Sequence, residues 1–224
     1  MSVVLEAASR EATVSIEAHD LTHRYGRRLG LEPVSFSFAA PGVAAVTGMN
    51  GAGKSTLLRI LAGLLRPSGG STTLTVGTRE VAPRERRSWI GYAAPELCFY
   101  EELSAAENLK FSGEARGLAN PQAASNAALT RVGLEARAGD RVSALSSGMK
   151  QRLSLAFAVL HEPRMLLLDE PGSHLDEPGR AMLNRLVEEE RGRCLVLIAT
   201  NDEREWRLAE QRIELRGGGL GRPA

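Results

Sequence analysis

The chain has 224 residues, 43% hydrophobic and 25% charged, with a formal net charge of +1 at pH 7. That is enough apolar material for a full core, as one large domain or two small ones, and the near-neutral charge argues against a broad electrostatic footprint for nucleic acid. Cys98 and Cys194 stand in unrelated contexts with no C-x-x-C spacing, so neither a metal site nor a disulfide framework is indicated and a cytosolic compartment fits.

In chain order, residues 1–11 lack a basic stretch followed by a long apolar run and do not read as a secretory signal. Residues 14–18, 34–38, 71–76 and 88–93 alternate apolar and polar positions and are read as a smaller antiparallel sheet. The uncharged stretch 33–53 is broken by Pro33, Pro41 and four glycines, which disqualifies it as a bilayer helix. Inside it, the apolar run 43–46 leads into Gly48-Met49-Asn50-Gly51-Ala52-Gly53-Lys54-Ser55-Thr56. This is the G-x-x-x-x-G-K-S spacing of a phosphate cradle. Backbone N–H groups around Asn50, Gly51, Gly53 and Thr56 wrap a nucleoside triphosphate, Lys54 reaches the β and γ oxygens, and the Ser55 hydroxyl ligates Mg²⁺. Gly48, Gly51 and Gly53 permit positive φ, and the helix starting near Lys54 offers its unpaired N–H groups to the anion. Only Lys54, Lys110 and Lys150 are lysines in an arginine-rich chain. A compact ammonium is thus retained where a planar guanidinium would not fit among phosphate oxygens. Arg84, Arg86 and Arg87 form a local basic spot, read as a solvated hairpin edge.

From Pro95 to Pro163 the character becomes helical. Residues 104–117, 121–132 and 147–161 are predicted helices, the last with Leu153, Ala156, Phe157 and Leu160 on one face and Ser146 as its N-cap. Two further apolar runs, 165–168 and 194–199, read with 43–46 as parallel strands buried on both faces. Each ends where polar chemistry begins, the second at Asp169-Glu170 and the third at Thr200-Asn201-Asp202, as in open α/β sheets. Asp169 is expected in the Mg²⁺ shell and Glu170 as general base for an attacking water. The four histidines are scattered, and Trp89 and Trp206 are read as packing residues.

The run Leu145-Ser146-Ser147-Gly148-Met149-Lys150-Gln151-Arg152 is similar to the signature sequence of the ATP-binding-cassette family, usually Leu-Ser-Gly-Gly-Gln. The resemblance covers essentially the whole chain. It implies a P-loop NTPase core of ABC type, α/β, with a small antiparallel β subdomain and an α-helical subdomain. The chain would be one ABC ATPase domain, 1–224, with core segments 1–93 and 162–224 around helical residues 94–161. By the same resemblance Tyr25 stacks on adenine, and Ser173-His174-Leu175-Asp176 fills the D-loop. Two subunits would sandwich ATP, with the Ser146 hydroxyl and Gly148 N–H of one binding the γ-phosphate held by the other.

Four positions depart from the family pattern. Ser147 and Met149 keep a helix start. Glu96 stands where the family has a glutamine that ligates Mg²⁺; its carboxylate can still do so. Asn201 stands where the family has a switch histidine; its amide can donate to the γ-phosphate but cannot carry a proton. The resemblance implies an ATPase with ATP and Mg²⁺, working as a homodimer or with a paired ATPase subunit. Its partner would be an integral-membrane permease subunit, with no nucleic acid, holding the chain at the cytoplasmic face of the membrane. The short chain favours an export-type transporter. The alternatives are a soluble non-transport ATPase of the family and a nucleotide-binding module with little hydrolysis.

Overall fold

The computed structural model describes residues 13–216. The N-terminal segment 1–11, read from sequence as a non-signal, and the Gly217-Gly218-Gly219 tail, whose composition predicts a frayed end, lie outside the described residues.

Strands β1 (Val14–Tyr25), β2 (Arg28–Ala39), β4 (Gly69–Val76) and β5 (Arg79–Val81) make an antiparallel sheet in the order β2-β1-β4-β5. The second sheet is parallel, in the order β6-β7-β8-β3-β9, from β3 (Gly42–Thr47), β6 (Ile90–Ala93), β7 (Met165–Asp169), β8 (Leu195–Ala199) and β9 (Gln211–Glu214). Helix α1 (Lys54–Leu61) follows β3 and packs against β2, β7 and β8. Helices α2 (Ala105–Ala115), α3 (Pro121–Arg131) and α4 (Ser147–Val159) occupy the stretch between β6 and β7. After β7 come α5 (Glu177–Arg191) and, beyond β8, the short α6 (Glu203–Trp206).

Strands β3, β7 and β8 are buried along nearly their whole length, so their alternate residues feed two cores. One joins Leu166, Leu168, Val196 and Ile198 to Leu153, Leu155, Leu183 and Val187 of the flanking helices. The other joins Ala44, Val46, Leu167 and Leu197 to Leu57, Leu58 and Leu61 of α1 and to Ile16, Leu21 and Leu74 of the antiparallel sheet. Apolar packing on both faces is what sets a strand's carboxyl end rigidly in place.

Two expectations are corrected. Residues 88–93 do not join the antiparallel sheet: Ile90–Ala93 pairs in parallel with Met165–Leu168. The reason lies at Gly91, where a Cβ would stand 2.0 Å from the Ala158 carbonyl oxygen. The bare backbone lets α4 settle directly on β6. The Arg84–Arg87 spot is not uniformly solvated either. Arg86 is 1% exposed and donates to the Leu61 carbonyl at 3.3 Å and to the Thr72 hydroxyl and carbonyl at 2.8 and 2.7 Å. It ties the end of α1 to β4, while Arg84 and Arg87 stay exposed.

Candidate active site

The loop between β3 and α1 turns on three left-handed glycines, Gly48, Gly51 and Gly53, with φ of 145°, 83° and 101°. At Gly53 a side chain is excluded twice, by φ and by the Gly30 carbonyl 2.5 Å from any Cβ. Gly53 caps α1 without a side-chain hydrogen bond, so the first-turn N–H groups remain available to an anion.

Lys54, 6% exposed, is the hub. Its ammonium donates to the Gly48 carbonyl at 2.8 Å and the Asn201 Oδ1 at 3.1 Å, and lies 3.4 Å from Glu170 Oε1. Asn201 reaches back across the loop, its Nδ2 donating to Asn50 Oδ1 at 2.7 Å. Glu170 follows β7 with φ 46°, and its N–H is held by the Ala199 carbonyl at 2.8 Å. A non-glycine residue in this region is strained, and the strain directs the carboxylate beside Lys54. The cleft in front measures about 440 Å³ and is lined by Tyr25, Asn50, Lys54, Thr56, Arg59 and Glu170 among others. Tyr25 is 46% exposed at its rim, its hydroxyl 3.3 Å from Thr56 Oγ1 and its ring edge-on to His23.

Asp169, 1% exposed, ends β7 with neither carboxylate oxygen accepting a well-formed hydrogen bond. Burial raises its carboxyl above the ordinary range, the nearby Ser55 hydroxyl opposes this, and Glu96 and Glu170 add to it. A buried carboxylate without partners beside a hydroxyl is the donor set a hard cation completes. Among the described residues no three His, Cys, Asp or Glu side chains form a metal-holding group. Mg²⁺ takes one or two protein oxygens and fills its shell from water and phosphate, so Asp169 and Ser55 are donors enough for it. Glu96 is exposed and forms a 2.6 Å ion pair with Arg59.

Ser146 and Gly148 lie elsewhere. Ser146 caps α4, its hydroxyl accepting from the Met149 N–H at 3.3 Å, and neither residue lines the cleft. Gly148 lies against the exposed His174, whose carbonyl would be 2.9 Å from any Cβ there and whose φ is 63°. Trp89 packs against the second core, and Trp206 sits under Arg212 with 4.6 Å from guanidinium to ring centre. Sequence reasoning missed Arg28 and Arg59, which also line the cleft. The signal for Arg59 was its i+4 spacing from Ser55, which puts both on one face of α1.

The sequence profile of the family described as "ABC transporter" matches residues 31–173. The ABC transporter ATP-binding protein YxlF of Bacillus subtilis is 38% identical over 84% of this chain, which spans only 62% of that relative. The aliphatic sulfonates import ATP-binding protein SsuB of Pseudomonas entomophila is 35% identical, covering 93% of this chain and 75% of its own. The cytochrome c biogenesis ATP-binding export protein CcmA of Xylella fastidiosa is 40% identical, covering 77% and 76%. A solved ATP-binding subunit of an ABC transporter superposes with a TM-score of 0.79 at 28% identity, over 91% of this chain and 86% of that one. With a phosphate cradle at the end of β3 and an acidic pair at the end of β7, and with these likenesses, the chain belongs to the ABC transporter family and carries its ATPase domain.

Proposed function

We propose that the chain binds and hydrolyses ATP to energise transport through separate membrane subunits, by closing and reopening a dimer. The observation that carries this is the convergence of Glu170 and Asn201 on the Lys54 ammonium, at 3.4 and 3.1 Å, in front of an open cleft. ATP entering the cleft meets the free N–H groups of the cradle and α1, and Lys54 exchanges its protein acceptors for phosphate oxygens. Tyr25 offers an aromatic face at the rim for adenine. Asn201, freed from Asn50, donates to the γ-phosphate, and Glu170 takes a proton from the water aligned for in-line attack. Ser55 and Asp169, with Glu96 as a further oxygen donor, would hold Mg²⁺, which neutralises charge developing on the β and γ oxygens. Ser146 and Gly148 of a second copy would close on the same phosphate.

The exposed aromatic pair Tyr100 and Phe111, ring centres 5.6 Å apart, supports a docking face for a permease beside residues 96–101. No described helix is long and apolar enough to cross a membrane. The likeness to CcmA, named for export, supports the export reading, and the likeness to SsuB, named for import, supports the opposite direction. Phosphate release from ATP by the purified chain with and without Mg²⁺ tests the hydrolytic reading. ATP-driven movement of solute in vesicles carrying the chain and its co-purifying membrane subunits tests the rest. A chain that binds ATP yet releases no phosphate would be a nucleotide module instead.

A further inference from the structure

Behind Glu170 and Asn201 lies a cluster of charge that the reaction as described does not use. Glu205 of α6 is 4% exposed, with Oε2 lacking a hydrogen-bond partner. Its Oε1 lies 3.7 Å from Arg180 of α5, whose guanidinium also donates to Asp202 Oδ2 at 2.9 Å. Asp202 in turn caps α6, and its N–H is held by the Thr200 hydroxyl at 2.9 Å. Arg180 therefore faces two carboxylates, Glu205 and Asp202, the latter also paired with Arg204 at 2.9 Å, both on the segment that begins one residue after Asn201.

Gly172, two residues beyond Glu170, closes the cluster. A Cβ on Gly172 would stand 2.0 Å from Glu205 Oε1 and 2.9 Å from the Arg180 guanidinium. The backbone after Glu170 thus runs in direct contact with both groups. The buried Gln151 of α4 donates its amide to the Pro171 carbonyl at 3.0 Å. The segment is held between the helix that carries Ser146 and Gly148 and the segment that carries Asn201. Burial raises the Glu205 carboxyl, the Thr200 hydroxyl opposes this, and the charges of Asp202 and then Glu170 add to it.

We infer that Arg180 and Glu205 are positioning residues, which lock the backbone after Glu170 to the Asn201 segment so that base and amide approach the γ-phosphate as one unit. The inference rests on the reading of Glu170 and Asn201 given above. A group displaced by about 1 Å from its productive position can cost on the order of a hundredfold in rate, and neither positioning residue needs to touch the nucleotide to have that effect.

The test is ATP turnover and ATP affinity of the full chain in Gly172→Ala, Glu205→Ala, the double variant, Arg180→Met and Arg180→Lys. Both alanine variants are expected to lose roughly tenfold or more in kcat, with the ATP Kd moving less than about twofold. The double variant should turn over no more slowly than the worse single, because Gly172 acts through Glu205. Arg180→Lys, which keeps the charge, should recover most of what Arg180→Met loses. Unchanged kcat in Glu205→Ala overturns the inference, as do losses that multiply in the double variant. So does a fall in kcat that merely follows the folded fraction measured by circular dichroism. Should Gly172→Ala fail to fold, the two Arg180 variants decide by the same criteria. Glu170→Gln separates the layers: normal turnover there removes the underlying reading, whereas its loss of turnover beside an unaffected Glu205→Ala removes only the positioning unit.

Discussion

The N-termini of α1 and α4 look alike in sequence, each a glycine-containing small-residue turn followed by a lysine-bearing helix, yet they are built for different neighbours. Neither has an acidic residue in its first turn, whereas α2 and α5 carry Glu107 and Glu177 there. Both therefore leave the positive end of the helix dipole uncompensated. At α1 the chain completes the surroundings: Lys54 is buried, and Glu170 and Asn201 arrive from two other strand ends. At α4 the Ser146 hydroxyl satisfies the helix itself, stays exposed, and lies outside the cleft in front of α1. One end is a finished half-site, and in the proposed dimer the other is the matching half for a second copy.

Removing the proposed base from the finished half is the severest way to probe this division. Glu170→Gln preserves shape while abolishing proton acceptance, so turnover should fall by about 10²- to 10⁴-fold. ATP should still bind and should now hold a dimer detectable by light scattering. Normal hydrolysis would remove Glu170 from its role. Next in size is Ser146→Asp. Aspartate caps a helix as well as serine does, so the melting temperature should hold, but its charge would face the γ-phosphate of the partner copy. ATP-driven dimerisation should be lost and turnover cut by tenfold or more, while the monomer still binds ATP. If the variant dimerises with ATP as the wild type does, the two ends are not complementary.

How much of this was legible depended on which physical signal each part left. The cradle, the acidic pair and the Asn201 turn were readable because each follows a strand buried on both faces, and such strands are bare apolar runs. β6 was misassigned because it is four residues long and its decisive residue, Gly91, is chosen for the approach of α4, a contact far away in sequence. β9 escaped notice since it is largely exposed at the sheet edge. Arg86 looked like surface charge; its burial depends on Leu61 and Thr72 supplying carbonyls and a hydroxyl from separate elements. Arg180 and Glu205 gave no local pattern either, because a charge cluster assembled from α5 and α6 exists only after folding. Asn120 as the cap of α3 and Ser104 in the capping box of α2, by contrast, are written locally and can be read locally.

A subtler probe of the finished half is Asn201→His. The amide now bridges Lys54 and Asn50 and has no proton to give up between pH 5 and 8. The wild-type rate should show no limb near pH 6.5 from this side chain, and the histidine variant should gain one. Superimposable pH profiles would mean that position 201 does not act at the phosphate.

The smallest effect on turnover at neutral pH is expected at the far end of α4, where the signature helix is anchored instead of presented. His161 follows the helix, its Nε2 3.3 Å from Arg116, whose guanidinium also donates to the Arg87 carbonyl and lies 5.5 Å over the Phe157 ring. Burial, and then the Arg116 charge, push the imidazole down to about 3. In the unfolded chain it titrates near 6.5, so between these values the unfolded state binds more protons than the folded one. Stability from a neutral His161 is therefore complete above pH 6.5 and is lost as pH falls towards 3, by about 2 kcal/mol at pH 5. Urea unfolding at pH 7.5 and 5.0 should show the wild type losing about that much more than His161→Leu, which has nothing there to protonate. Equal losses would mean that the imidazole is free to charge in the folded state. The anchored end of α4 would then be as open to solvent as the end that carries Ser146, and the contrast between a fixed and a presented terminus would fail.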